Sequence, residues 1–132
     1  MKTYDVVAAS IKAQESEHCF ALLGDGNMHF AGALAHLGMP FTYARHEHCA
    51  VSMAMAYMRV TGRTGLATVT CRPGLTQVMT SLTTAVRARI PLIIFVGESP
   101  ISAHWYNQDS DQAPFVTACG AEYVQIMHKP RV

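Results

Sequence analysis

Short apolar runs alternate along this chain with stretches of helical period, and that alternation constrains the fold more than any other feature. Residues 3–16 carry a partial apolar face of Val6, Val7, Ile11 and Ala13 and read as a helix. Phe20-Ala21-Leu22-Leu23 is a short apolar run that ends in the turn signal Gly24-Asp25-Gly26-Asn27. A helix over 28–37 is closed by Gly38 and Pro40, and Phe41 to Arg45 reads as a strand. A helix over 47–60 carries Ala50, Val51, Ala54, Tyr57 and Met58 on one stripe and stops at Thr61-Gly62. Leu66 to Thr70 is a strand, Arg72-Pro73-Gly74 a turn, 75–88 a helix and Pro91 to Val96 a buried strand. A polar loop from Gly97 to Asp111 leads to a short helix over 112–119 and a last strand from Tyr123 to Met127. Helix and strand in alternation predict an α/β fold, a doubly wound and mostly parallel sheet with helices on both faces. The strands are apolar runs, not alternating patterns, as a sheet buried on both sides requires. In such folds ligands sit beyond the carboxyl ends of the strands. Gly24–Asn27, His46–His48, Cys71–Gly74 and Gly97–Pro100 fall there.

At 132 residues the chain is long enough for one domain with a real core. Half of it is hydrophobic and only 14% is charged, well below the roughly one quarter of an ordinary globular domain. That deficit predicts a surface partly covered by another domain or subunit. The net charge is +1 and no basic stripe occurs, which argues against nucleic acid and anionic membrane as partners. No apolar run approaches the ~18 residues of a membrane span, and the N-terminus has no signal-peptide pattern. Cys19, Cys49, Cys71 and Cys119 are scattered and form no Cys-x-x-Cys pair, so they are expected as reduced, buried thiols of a cytoplasmic protein. The eight methionines are expected to fill helix faces.

Tyr43-Ala44-Arg45-His46-Glu47-His48-Cys49-Ala50 concentrates the candidate chemistry. A strand ends in an acidic residue, and that residue opens an apolar helix. A carboxylate at such a junction is expected to be poorly solvated, and burial favours the protonated form that donates a hydrogen bond. This suits proton exchange with a nitrogen heterocycle. A first-turn acid that complements the helix dipole is the plainer reading. His46 and His48 are a His-x-His pair, but Ala50 stands where a His-Glu-x-x-His zinc motif needs its second histidine.

The order of segments resembles the N-terminal, pyrimidine-binding domain of thiamine diphosphate enzymes, in the acetolactate synthase, pyruvate oxidase and benzoylformate decarboxylase group. That family has a strand ending in Arg-His-Glu, an Ala-rich helix ending in Thr-Gly, and a strand ending in Thr-x-Gly-Pro-Gly. A helix and an apolar strand beginning Ile-Pro-Leu follow. This chain reads Arg45-His46-Glu47, Ala54-Met55-Ala56-Tyr57, Thr61-Gly62, Thr70-Cys71-Arg72-Pro73-Gly74 and Ile90-Pro91-Leu92. The matches run in register over residues 3–126.

The resemblance implies that Glu47 hydrogen-bonds N1′ of the aminopyrimidine of thiamine diphosphate and controls the proton exchange that activates the cofactor toward a 2-oxo acid. It further implies cofactor contacts at Gly26, Thr70, Pro73, Gly74 and Gln77. Asn27, His48, Arg72 and Gln108 are the positions expected on the substrate side. Gln108 belongs to Gln108-Asp109-Ser110-Asp111-Gln112, which resembles the family's Gln-Glu-x-Asp-Gln loop. A helix-capping loop explains the same acids. Gly24-Asp25-Gly26 also opens the family's diphosphate–magnesium motif, but the Asn that motif needs is replaced by Ser52 and Met53 in a helix. The segment is therefore expected as the loop after the first strand.

Cys71-Arg72 departs from the family, which has a small residue and Gly before Pro-Gly; Gly there lets backbone approach the ring. Arg72 is expected either to fork onto a substrate carboxylate or to face solvent or an interface. Thr70 stands where some decarboxylases of the group have His. Nothing in the chain matches the diphosphate domain, so Mg2+ and the diphosphate are expected on a separate diphosphate-binding domain or subunit. The cofactor would lie between the two in a homo- or hetero-oligomer. A non-catalytic scaffold or regulatory member that keeps the fold is the alternative. A dinucleotide binder is disfavoured because Gly24-Asp25-Gly26 is not followed by the third glycine of that fingerprint.

Overall fold

Four short parallel strands in the order β2-β1-β3-β4 form the middle layer of the domain, in a computed structural model that describes residues 2–14, 16–100, 103 and 105–126. The elements run α1 (Thr3–Lys12), β1 (Cys19–Ala21), α2 (Met28–His36), β2 (Phe41–Tyr43), α3 (Glu47–Thr61), β3 (Gly65–Val69), α4 (Met79–Arg87), β4 (Leu92–Val96) and α5 (Ala113–Ala118), with a 3-10 turn over Thr76–Val78 leading into α4. The α/β architecture is the one the alternation of the sequence predicts. Cys19 pairs with Phe41 on one side and Leu66 on the other, and Thr68 pairs with Phe95.

Period-two alternation sorts the strand side chains into two cores. Phe20, Ala67 and Val69 face α3 and α4, with Ala50, Val51, Ala54, Val78, Leu82 and Val116. Cys19 and Leu66 face the other layer, with Ala8, Phe30, Leu34 and Met39. All five residues of β3 are buried, as befits a central strand covered on both faces. Phe30 stacks on Phe95 at 3.7 Å between ring centroids and ties α2 to β4. Gly62, left-handed at φ 73, ends α3 with its N–H donated to Met58 O. Burial of this apolar surface at roughly 25 cal/mol per Å2 is the main stabilising contribution.

The structure corrects several boundaries. Strand β2 ends at Tyr43, not Arg45, and α1 ends at Lys12, where Gln14 N–H folds back onto Ile11 O (3.0 Å). The helix expected over 75–88 begins as a 3-10 turn, with Val78 N–H bonded to Leu75 O (3.0 Å). The last strand expected from Tyr123 to Met127 is absent over Tyr123–Ile126, and Met127 lies outside the described residues. Side chains hold that segment instead of a backbone ladder: Ala121 and Tyr123 pack on the core, and Gln125 Nε2 donates to the Glu98 carboxylate (3.2 Å). Of the cysteines, Cys19 and Cys71 are buried and Cys119 is half-buried, but Cys49 is exposed; all four are free. Among the described residues no helix is long and apolar enough to cross a membrane.

Candidate active site at the carboxyl edge of the sheet

Strand order reverses direction between β1 and β3, because β1 leads to β2 on one side while β3 lies on the other. That is the topological switch point at which open α/β sheets bind ligands. The loop after β1 and the turn after β3 meet there. Gly26 N–H donates to Thr70 Oγ1 (3.2 Å). A Cβ on Gly26 would lie 3.1 Å from Thr70 Oγ1 and 3.2 Å from Cys71 N, and one on Gly97 would overlap the Gly26 carbonyl. The loops after β1 and β4 thus touch through bare backbone, and the Thr70 hydroxyl ties the first of them to the turn after β3. Gly74 is buried, and its N–H closes the turn onto Cys71 O (2.8 Å).

Asn27, expected to face the reacting centre, is fully buried. Its Oδ1 accepts from Gly24 N–H (2.8 Å), and its Nδ2 donates to Leu22 O and to Thr68 Oγ1 (both 3.1 Å). Both N–H donors and the oxygen of the amide are engaged in holding the loop on β3. The sequence offers no signal for this, since Thr68 lies 41 residues away.

Glu47 is the first residue of α3 and is half-buried. This domain alone does not fully shield the carboxylate, contrary to the sequence expectation, and no described residue forms a salt bridge with it. His46 caps the helix: its Nδ1 accepts from His48 N–H (3.1 Å). With the strand ended at Tyr43, the two histidines do not project as alternate residues of one strand. His48 is half-buried, its ring edge-on to His46. Glu47 follows β2 and Thr70 follows β3, and β1 lies between those two strands in the sheet.

Residues 106–108 of the long loop from Gly97 to Gln112 lie against the turn after β3. Cys71 Sγ–H donates to Gln108 Oε1 (3.3 Å), and Tyr106 O–H donates to the same oxygen (3.3 Å). Arg72 Nη2 donates to Asn107 O (2.8 Å), so its guanidinium is turned to the loop. Gln112 is buried and donates from Nε2 to Gly97 O (3.0 Å). Asn107 was not anticipated, because its bond to Arg72 joins segments 35 residues apart, and Tyr106 was not, because its partner oxygen is shared with Cys71, 37 residues from Gln108. Partial burial, followed by the neighbouring Cys71 and Asp25, raises the Tyr106 hydroxyl above the ordinary phenol value. Pro73 and Gln77 are exposed. The structure therefore gathers Gly26, Thr70, Gly74, Cys71, Arg72 and Gln108. Glu47 and His48 stand half-buried at the start of α3, and Pro73 and Gln77 are exposed.

Comparison with known proteins places this arrangement. The family model for the thiamine pyrophosphate enzyme N-terminal TPP binding domain matches residues 1–115. The chain is 33% identical over 104 residues to the acetolactate synthase large subunit of Buchnera aphidicola, covering 78% of this chain and 18% of that protein. It is 34% identical over 110 residues to 2-hydroxyacyl-CoA lyase 2 of Caenorhabditis elegans, covering 82% of this chain and 17% of that protein. Against acetolactate synthase isozyme 2 large subunit of Escherichia coli it is 32% identical over 106 residues, covering 80% and 19%. The chain thus spans less than a fifth of the length of these relatives. A parallel sheet whose loops meet at the switch point, Arg45-His46-Glu47 at the start of α3, and this match over most of the chain lead to one conclusion: the chain belongs to the family of thiamine pyrophosphate enzyme N-terminal TPP binding domains.

Proposed function

We propose that this domain binds the aminopyrimidine of thiamine diphosphate and activates it through Glu47, as one half of an acetolactate synthase-like lyase, decarboxylase or carboligase acting on 2-oxo acids. The observation that carries the reading is the half-buried Glu47 carboxylate at the start of α3, on the ligand-binding edge of the sheet and without a salt-bridge partner among the described residues. The residues present fit the cofactor: a carboxylate suits a ring nitrogen, and the glycine-lined switch point offers backbone without side chains. When bound, thiamine diphosphate supplies the carbanion chemistry next to a carbonyl. Glu47 would hold the ring nitrogen and move a proton there. Gly26, Thr70, Pro73, Gly74 and Gln77 would form the cofactor wall. His48, Arg72 and Gln108 would border the substrate, while Asn27 stiffens the loop from behind. Mg2+ and the diphosphate would be held by a diphosphate-binding domain or subunit in a homo- or hetero-oligomer. Leu23, Met28, Tyr43 and Trp105, exposed by 43, 45, 63 and 83%, follow β1, open α2, end β2 and sit on the long loop, where such a partner would cover them. Four free thiols suit a reducing, cytoplasmic setting.

A non-catalytic scaffold is the second reading, favoured by Cys71 and Arg72, whose side chains bind the long loop where the family has small residues. The test is calorimetry of thiamine diphosphate with Mg2+, with and without the diphosphate-binding part of an acetolactate synthase-type relative, alongside exchange of the cofactor's C2 proton. Binding and exchange that need the partner, with exchange lost in Glu47→Gln, support the catalytic reading. Binding with equal exchange in wild type and variant supports the scaffold.

A further inference from the structure

We infer that Cys71 and Tyr106 are positioning residues that orient the Gln108 side-chain amide, so that it offers its N–H2 group to an acceptor oxygen, carbonyl or carboxylate, of a bound substrate. The inference rests on the reading of this sheet edge as the cofactor and substrate site. Two donors, a thiol and a phenol, converge on a single atom of Gln108, each at 3.3 Å. An amide oxygen has two lone pairs, so in this orientation the single Oε1 takes both donors at once. With the oxygen saturated, the half-buried side chain has only its Nε2 donors left for a ligand. A group that can only donate selects oxygen acceptors and rejects an ammonium or another donor. The Tyr106 hydroxyl, its pKa raised, stays protonated across the neutral range and keeps donating.

Cys71 and Arg72 are the two positions at which the turn departs from the family pattern, and each binds the same short stretch of loop. Cys71 bonds Gln108, and Arg72 bonds the Asn107 carbonyl (2.8 Å). A Gly or Ala at either position has no atom for these contacts. The departures and the loop are therefore a matched set: Arg72 lashes the loop across the turn, and Cys71 sets the rotation of the amide. Thr70 Oγ1 lies 3.8 Å from Cys71 Sγ, which links the lash to the contact between Thr70 and Gly26.

The test is nuclear magnetic resonance of the full chain labelled with 15N and 13C, read at the Gln108 side chain. In the wild type the two Nε2 protons are expected to be resolved, with the amide well ordered. Cys71→Ala or Tyr106→Phe should loosen it, and the two together should bring its order parameter below about 0.6, the flexible range. Cys71→Ser keeps a donor in place and should restore order, which a purely structural loss would not do. An equally ordered amide in the double variant, or no rescue by Ser, overturns the inference; Tyr106→Phe alone reads the same point if the double variant does not fold. With pyruvate as probe and the chain assembled with a diphosphate-binding partner, the double variant should raise KM at least ten-fold and change kcat less. An unchanged KM overturns the ligand assignment. No turnover in the wild type counts against the functional reading, and leaves the resonance result to decide the positioning.

Discussion

The carbonyl of Gly26 lies directly against the α-carbon of Gly97, so that the loop after β1 and the loop after β4 touch across the end of β3 with no side chain between them. Gly97 N–H is itself bonded to Val69 O (3.3 Å), which extends the β3–β4 ladder by one residue and fixes the contact. A side chain at Gly97 must push the two loops apart. Gly97→Ala is therefore expected to destabilise the domain by about 1–3 kcal/mol, the cost of overpacking. Gly26→Ala meets only tight contacts at 3.1–3.2 Å and should cost less. Urea unfolding of both variants checks the order; a milder Gly97→Ala would contradict the contact.

Asn27→Ala leaves the Gly24 N–H and the Leu22 carbonyl without their side-chain partner, and removes the bond to Thr68. Buried polar groups left unpaired cost about 1–3 kcal/mol each. The expected loss is about 3 kcal/mol in unfolding free energy, within the range for a broken buried network. Asn27→Asp keeps an acceptor for Gly24 but loses the two donors, so it should also destabilise. A loss below about 0.5 kcal/mol, the size of an ordinary surface change, would sink the idea of a structural anchor.

Glu47→Gln keeps the shape of the side chain and removes its capacity to exchange a proton. In the chain assembled with a diphosphate-binding partner, C2-proton exchange of thiamine diphosphate should fall by roughly 10²–10⁴-fold, the usual contribution of a positioned acid or base. Cofactor affinity should change far less. Exchange within a factor of about three of wild type, under 1 kcal/mol, would remove Glu47 from the chemistry.

Burial pushes the Cys19 thiol up to about 12 from an ordinary value of 9.0. Its folded state thus favours the protonated form, and the associated stability is complete below pH 9. It is lost as pH rises from 9 toward 12, where the unfolded chain has released a proton that the folded chain still holds. The slope from this one group is about 1.4 kcal/mol per pH unit at most. Cys19→Val should lack it, so the difference in unfolding free energy between the two proteins should shift in that window. Alkylation at pH 8 should modify the exposed Cys49 first and spare Cys19. Equal labelling of both would refute the burial.

Much of the fold was legible in the chain because its signals are local. Apolar runs bounded by Gly24–Asn27, Thr61-Gly62 and Arg72-Pro73-Gly74 located the strands and turns to within a few residues. Glu47 at the start of α3 followed from the strand–helix junction and the Arg45-His46-Glu47 motif. The expected strand from Tyr123 misled over its described part, Tyr123–Ile126, since Tyr123, Val124 and Ile126 look like strand residues. A strand also needs a partner backbone, which no window of sequence shows. The role of Asn27 was hidden for the same reason: a polar residue in a glycine turn reads alike whether it faces a ligand or the interior.

Composition, hydrophobic period and ordered motifs by themselves determined a parallel α/β domain with its glycine and polar loops at the carboxyl ends of the strands, and the position of the acid that opens α3. These depend on residues close in sequence, where spacing alone fixes which side chains share a face. Tertiary structure decided the rest. It chose the order β2-β1-β3-β4 and so the switch point, buried Asn27 on Thr68, and brought Cys71 and Arg72 onto Gln108 and Asn107. Contacts between residues 35 or 41 positions apart depend on how the layers pack, and the packing energy is spread over both cores rather than written in any one segment.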